Sequence, residues 1–123
     1  MHTEALQKLV LFALAERNAL DVMVLDVRAR TDITDVMIIV TGNSPPHVRA
    51  IGSRVAEEAR KHAVPIIGIE GQPIGDWMLV DLGDVVVHVL LSAVRQFYAL
   101  EKLWIVGSTL VETSPFERVA ALQ

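Results

Sequence analysis

The 123-residue chain contains no cysteine. That absence removes disulfides, thiolate nucleophiles and cysteine-held metal sites together. It also lacks any run of about eighteen uncharged apolar residues, so no membrane-spanning helix is expected. Met1-His2-Thr3-Glu4 sets no basic leader ahead of the first apolar residues, so no secretory signal peptide is expected and the cytoplasm is the expected compartment. Lys and Arg are missing from residues 62–94, where Glu70, Asp76, Asp81 and Asp84 stand with only His88 as a candidate cation beyond His62. With a formal net charge of −4, the chain is a poor non-specific binder of phosphate backbones, and no direct sequence-specific nucleic-acid binding is expected either. An acidic central segment suits a basic partner; ordinary solubilising charge is the alternative.

What is present is enough for one packed domain. Hydrophobic residues make up 52% of the chain, which excludes global disorder. Leu6, Leu9, Val10, Ala13 and Leu14 recur at helical spacing, predicting a helix over residues 3–18 with Thr3 as its cap. A short strand is expected over 21–27. Residues 35–41 are almost continuously apolar, as in a strand buried on both faces. Ser44-Pro45-Pro46 opens a second helix, with Val48, Ile51, Val55, Ala56 and Ala59 as its buried stripe, ending near Ala63. A strand over 65–70 carries Gly68 and is expected at a sheet edge.

Residues 77–91 carry the most information. Gly83-Asp84 reads as a two-residue hairpin turn. It pairs Leu82 with Val85, Leu79 with His88, and Trp77 with Leu90. Met78, Val80, Leu82, Val85, Val87 and Val89 then form a core face. Trp77, Leu79, Asp81, Val86, His88 and Leu90 form a mixed face, expected to stay partly open if helices cover only one side of the sheet. The alternative is that the chain's own elements cover it. A third helix is expected over 92–104, with Val94, Phe97, Leu100 and Trp104 on its stripe. Ser114 and Glu117 have capping-box spacing and suggest a short terminal helix. The order α-β-β-α-β-β-β-α describes one α/β (α+β) domain with a mixed sheet of about five strands and helices mainly on one face.

Nothing in the sequence assembles a catalytic site. Asp26, Glu70, Asp76, Asp81 and Asp84 are the carboxylates a Mg²⁺ site could draw on, but no strand carries two of them two residues apart on one face. Asp84 is a turn residue. Thr41-Gly42-Asn43-Ser44 precedes a helix, yet Pro45 and Pro46 each remove an N–H donor and no P-loop lysine follows. His2, His47, His62 and His88 show no metal-ligand spacing. His47, in the first turn of its helix, is expected to be neutral. His88 could contact a partner or titrate near neutrality, or serve as a half-buried polar contact. No catalytic residue, metal site or cofactor is therefore expected.

Three ordered blocks carry a family resemblance. DITDVMIIVTGNS at 32–44, followed by His47-Val48, is the first. Glu70-Gly71 followed by DWMLVDLGDVVVHV at 76–89 is the second and most distinctive. RQFYALEKLW at 95–104 is the third. Together they resemble the ribosomal silencing factor family (RsfS, also called Iojap). Pro45-Pro46 departs from the polar residues usual between Ser44 and His47 in that family, and the resemblance ends at Trp104, so the domain is expected over 1–104 with 105–123 as a C-terminal extension. The resemblance implies a nucleotidyltransferase-like fold without the metal-binding Asp-x-Asp, hence a non-enzyme. It implies a factor that docks on the large ribosomal subunit through ribosomal protein L14, sterically blocks small-subunit joining and so represses translation. It also implies a homodimer when free. The residues expected to bind the partner are Asp76, Trp77, Leu79, Asp81, His88, Arg95 and Tyr98, with Trp77 as apolar anchor, Asp76 and Asp81 meeting basic groups, and Arg95 and Tyr98 extending the patch. The alternative is a metal-dependent nucleotidyltransferase or phosphohydrolase on the same fold.

Overall fold

The computed structural model describes residues 1–98, Tyr98 by its backbone alone. The chain order is α1 (Thr3–Glu16), β1 (Leu20–Asp26), β2 (Val36–Gly42), α2 (Pro45–Lys61), β3 (Gly68–Glu70), β4 (Trp77–Asp81), β5 (Val85–Leu91) and α3 (Ser92–Tyr98). The five strands form one sheet in the order β1-β2-β5-β4-β3. Only β2 and β5 run parallel; the other pairs are antiparallel. The sheet is therefore mixed, as the alternation of helix and strand patterns required.

The near-continuous apolar runs account for the centre. Every residue of β2 is buried, and so are Val85 to Leu90 of β5. A strand buried on both faces needs apolar residues at odd and even positions alike. Val36, Ile38 and Val40 of β2 join Met78, Val80, Val85, Val87 and Val89 in the main core, against Leu6, Leu9, Val10, Ala13 and Leu14 of α1 and Val48, Ile51, Val55 and Ala59 of α2. Burying one such aliphatic side chain contributes roughly 1.5–3 kcal/mol. Gly52 lets α2 approach β4: a Cβ there would lie 2.3 Å from Met78 Sδ.

The hairpin register matches expectation: Trp77 faces Leu90, Leu79 faces His88, and the Leu82 N–H reaches the Val85 carbonyl at 2.9 Å across the turn. Gly83 turns there at φ +87. β3 is the short edge strand, three residues rather than the six expected.

Local details differ at α1. It begins after His2, which makes no side-chain capping bond, and ends at Glu16. Thr3 does not cap it; its hydroxyl donates to Asp35 Oδ2 at 3.0 Å, tying the helix start to the segment before β2. Ser44 does cap α2, its Oγ accepting from the His47 N–H at 3.2 Å. The His47 ring bridges two stretches of backbone. Nδ1 accepts from the Asn43 N–H at 2.8 Å, which leaves Nε2 to donate to the Arg17 carbonyl at 2.7 Å. That ring clamps the end of α1 to the turn entering α2. The continuation of the third helix over 99–104, including Leu100 and Trp104, and the terminal helix near Ser114 lie outside the described residues.

Candidate partner-binding site

The hairpin's mixed face is where sequence and structure part. Alternation along the strands predicts a partly open face, but Trp77 is 7% exposed, Leu79 3% and His88 0%. The physical reason is a second apolar layer. Val27, Met37, Ile39, Trp77 and Leu90 form their own cluster, with Leu25 of β1 and Val94 of α3 packed against it. Met37 and Ile39 are the odd positions of a strand whose even positions fill the main core. Both faces of the sheet centre therefore bury side chains.

Within this layer Trp77 and His88 are diagonal cross-strand neighbours, since Trp77 pairs with Leu90 and His88 with Leu79. Long side chains reach each other on such a diagonal. The Trp77 indole N–H donates to His88 Nδ1 at 3.0 Å, and the rings lie 5.9 Å apart at 53°. The accepting Nδ1 carries no proton, so the neutral ring carries its hydrogen on Nε2. Burial pushes the His88 pKa down to about 3, because the imidazolium would have to leave water. His88 is thus uncharged near neutral pH, not a group that titrates there. Its Nε2 is buried and has no hydrogen-bond partner among the described residues.

The remaining expected residues separate by depth. Asp76 is exposed, and its carbonyl accepts from the Leu91 N–H at 3.0 Å. Asp81 is half-buried, with Oδ1 accepting from the Gly83 N–H at 2.9 Å, so its carboxylate helps shape the turn. Arg95 is also half-buried. Its Nη1 donates to the Asp21 carbonyl at 2.6 Å and to Thr41 Oγ1 at 3.0 Å. That pins α3 across β1 and β2 where Asp21 takes a left-handed φ of 48. Phe97, expected on the buried stripe of the third helix, is instead 80% exposed, while Val94 packs inward. The side chain of Tyr98 lies outside the described residues.

A buried charge network supports α1 against α2, and sequence reasoning misses it. Arg54 pairs with Glu16 of α1, with Glu58 at 2.7 Å and with Glu57 at 3.5 Å. The Glu58 hydrogen bond is the largest influence holding its guanidinium charged, against the opposing cost of burial. The i, i+4 spacing of Arg54 and Glu58 is a visible signal; the role of Glu16 needs the helix packing. Among the described residues, no group of three or more His, Asp or Glu is placed to hold a metal ion, and no helix is long and apolar enough to cross a membrane.

The fold and sequence are not solitary. The family model described as "Ribosomal silencing factor during starvation" matches residues 1–121. The chain belongs to the RsfS family. It is 40% identical over 104 residues to the ribosomal silencing factor RsfS of Chromobacterium violaceum, covering 85% of each chain. A crystal structure of a Chromobacterium violaceum protein superposes with a TM-score of 0.83 at 40% identity, covering 85% of this chain and 87% of that one. A mouse protein named for mitochondrial assembly of the ribosomal large subunit is 34% identical over 98 residues, covering 77% of this chain and 43% of that protein. Membership makes this an RsfS-type factor in ribosome-associated translation regulation. The family match also runs past Trp104, where the motif resemblance in the sequence stops.

Proposed function

We propose that the chain docks on the large ribosomal subunit through ribosomal protein L14 and, by occupying space the small subunit needs, prevents subunit joining and represses translation. It acts in the cytoplasm by binding alone, without catalysis or cofactor, and is a homodimer when free. By its motifs the silencing domain is 1–104, and 105–123 extend it.

One observation carries the reading: a member of the silencing-factor family holds a 33-residue stretch, 62–94, with four carboxylates and no Lys or Arg. Proteins that sit on ribosomal RNA are basic, so an acidic surface is electrostatically complementary to them. The site residues are Asp76, Trp77, Leu79, Asp81, His88, Arg95 and Tyr98, of which the buried Trp77, Leu79 and His88 act from beneath the surface. Asp76 and Asp81 meet cations directly. Trp77, Leu79 and His88 form the rigid, uncharged floor that sets the surface shape, and Arg95 holds α3 at its border. A neutral His88 suits such a floor, because a cation there would oppose the carboxylates that attract the partner.

The test is a sucrose-gradient profile of purified subunits with and without the protein. The expected result is loss of joined ribosomes and migration of the factor with the large subunit. Undiminished joining with the protein left at the top of the gradient overturns the reading.

A further inference from the structure

Single exposed apolar side chains are ordinary on protein surfaces. Ile74, 73% exposed, differs from the others in how it is held and in what surrounds it. The loop between β3 and β4 is closed at its base by the Gly75 N–H donating to the Gly71 carbonyl at 3.0 Å. Arg49 Nη1 of α2 donates to the Ile74 carbonyl itself at 3.3 Å. The next residue but one, Asp76, is tied to β5 through the Leu91 N–H at 3.0 Å. Gly71 and Gly75 both take left-handed φ values, +81 and +79, where an L side chain is strained; a Cβ at Gly71 would lie 1.8 Å from the Trp77 carbonyl oxygen, and one at Gly75 would lie 2.5 Å from Arg49 Nη1. Pro73 fixes one more dihedral at the tip. The isoleucine is therefore presented on a rigid mount, and little backbone freedom is left to lose on binding.

The base of the same loop brings Glu70 and Asp76 to its two sides, both exposed. The flanking segment from 62 to 94 supplies no Lys or Arg. Arg49, which reaches this loop, has a hydrogen bond committed to the loop's own backbone. An apolar tip between two carboxylates fits an apolar pocket edged by Lys or Arg.

We propose that Ile74 is the exposed apolar anchor of the interface, inserting into a pocket on a basic ribosomal protein while Glu70 and Asp76 pair with the cations at its rim. This rests on the large-subunit docking proposed above. It assigns the anchoring role to a residue outside the buried Trp77 layer.

The experiment is a binding titration of purified large subunits with the full chain, wild type against Ile74→Ala, Ile74→Gln and Phe12→Ala. Phe12 is a matched control, 54% exposed on α1 but one helical turn from Lys8. Melting curves accompany each variant, and Ile74→Gln, which keeps a side chain of similar length, stands in if Ile74→Ala melts low. The expected result is a loss of affinity of about tenfold or more for both Ile74 variants, with Phe12→Ala unchanged. Asp76→Asn should weaken binding less and flatten its salt dependence. If the wild type binds and the Ile74 variants bind as tightly, the anchor assignment fails alone. If the wild type binds no large subunits, the docking reading fails, and this inference with it.

Discussion

The Trp77 indole N–H and His88 Nδ1 meet at 3.0 Å inside the sheet's second apolar layer, joining two strands through one buried hydrogen bond. The bond selects the His88 tautomer, and burial selects its charge state. The first prediction follows from that charge. The His88 pKa falls from 6.5 to about 3 on folding. Above 6.5 neither folded nor unfolded chain protonates this ring, and its contribution to stability is fully present. As pH falls from 6.5 toward 3, the unfolded chain takes up a proton that the folded chain refuses, and stability is lost at roughly 1 kcal/mol per pH unit. Urea unfolding at a series of pH values should show this slope. His88→Gln, which keeps an acceptor for Trp77 but cannot titrate, should show a shallower one. Equal slopes in the two proteins would refute a buried neutral His88.

Trp77→Phe keeps most of the ring volume and removes the N–H. His88 Nδ1 is then a buried acceptor without its donor, a loss of about 1–3 kcal/mol. Trp77→Ala adds a cavity and should cost about 3–5 kcal/mol. Chemical denaturation reads both. An alanine variant as stable as the wild type would mean that the ring is not packed at 7% exposure. For ribosome-binding assays, Trp77→Phe is the more informative substitution, since its fold should survive.

Gly71 sits at φ +81, and a Cβ there would approach the Trp77 carbonyl oxygen to 1.8 Å. Gly71→Ala must therefore move backbone, with a loss of about 2 kcal/mol or more. Gly68, where an added Cβ meets nothing within 4 Å, is the control, and Gly68→Ala should change the melting temperature far less. Equal melting temperatures would remove the steric argument.

Arg54 is 8% exposed and shared among Glu16, Glu57 and Glu58, whereas Lys61 is an exposed partner of Glu57 alone. Removing one member of a buried network leaves the others uncompensated, while exposed pairs contribute little. Arg54→Met should lower the melting temperature clearly and Lys61→Met hardly at all. The reverse order would show that the network does not hold α1 to α2.

Strand and helix identity came from local pattern. Residues 35–41 read as a central strand because a short, nearly unbroken apolar run stopped by Gly42 and Asn43 suits burial on both faces of a sheet, and the strand observed is Val36–Gly42. The hairpin register followed from Gly83-Asp84 and alternation. The membership of the mixed face was equally legible. Its depth was not. Whether Trp77 sees water depends on Leu25, Val27, Met37, Ile39 and Val94, which arrive from three other places in the chain.

The sequence alone determined the periodicities, the turn, the cap at Ser44 and the acidic stretch free of Lys and Arg, because each depends on residues near one another in the chain or on simple counts. It also carried the family motifs. Only the tertiary structure decided burial, the tautomer of His88, the destination of Arg95 and the rigid exposure of Ile74. Those depend on distances between segments up to 74 residues apart, as Arg95 and Asp21 are. The free energy of a polar or apolar group is set by what folding brings against it, and no local pattern encodes that.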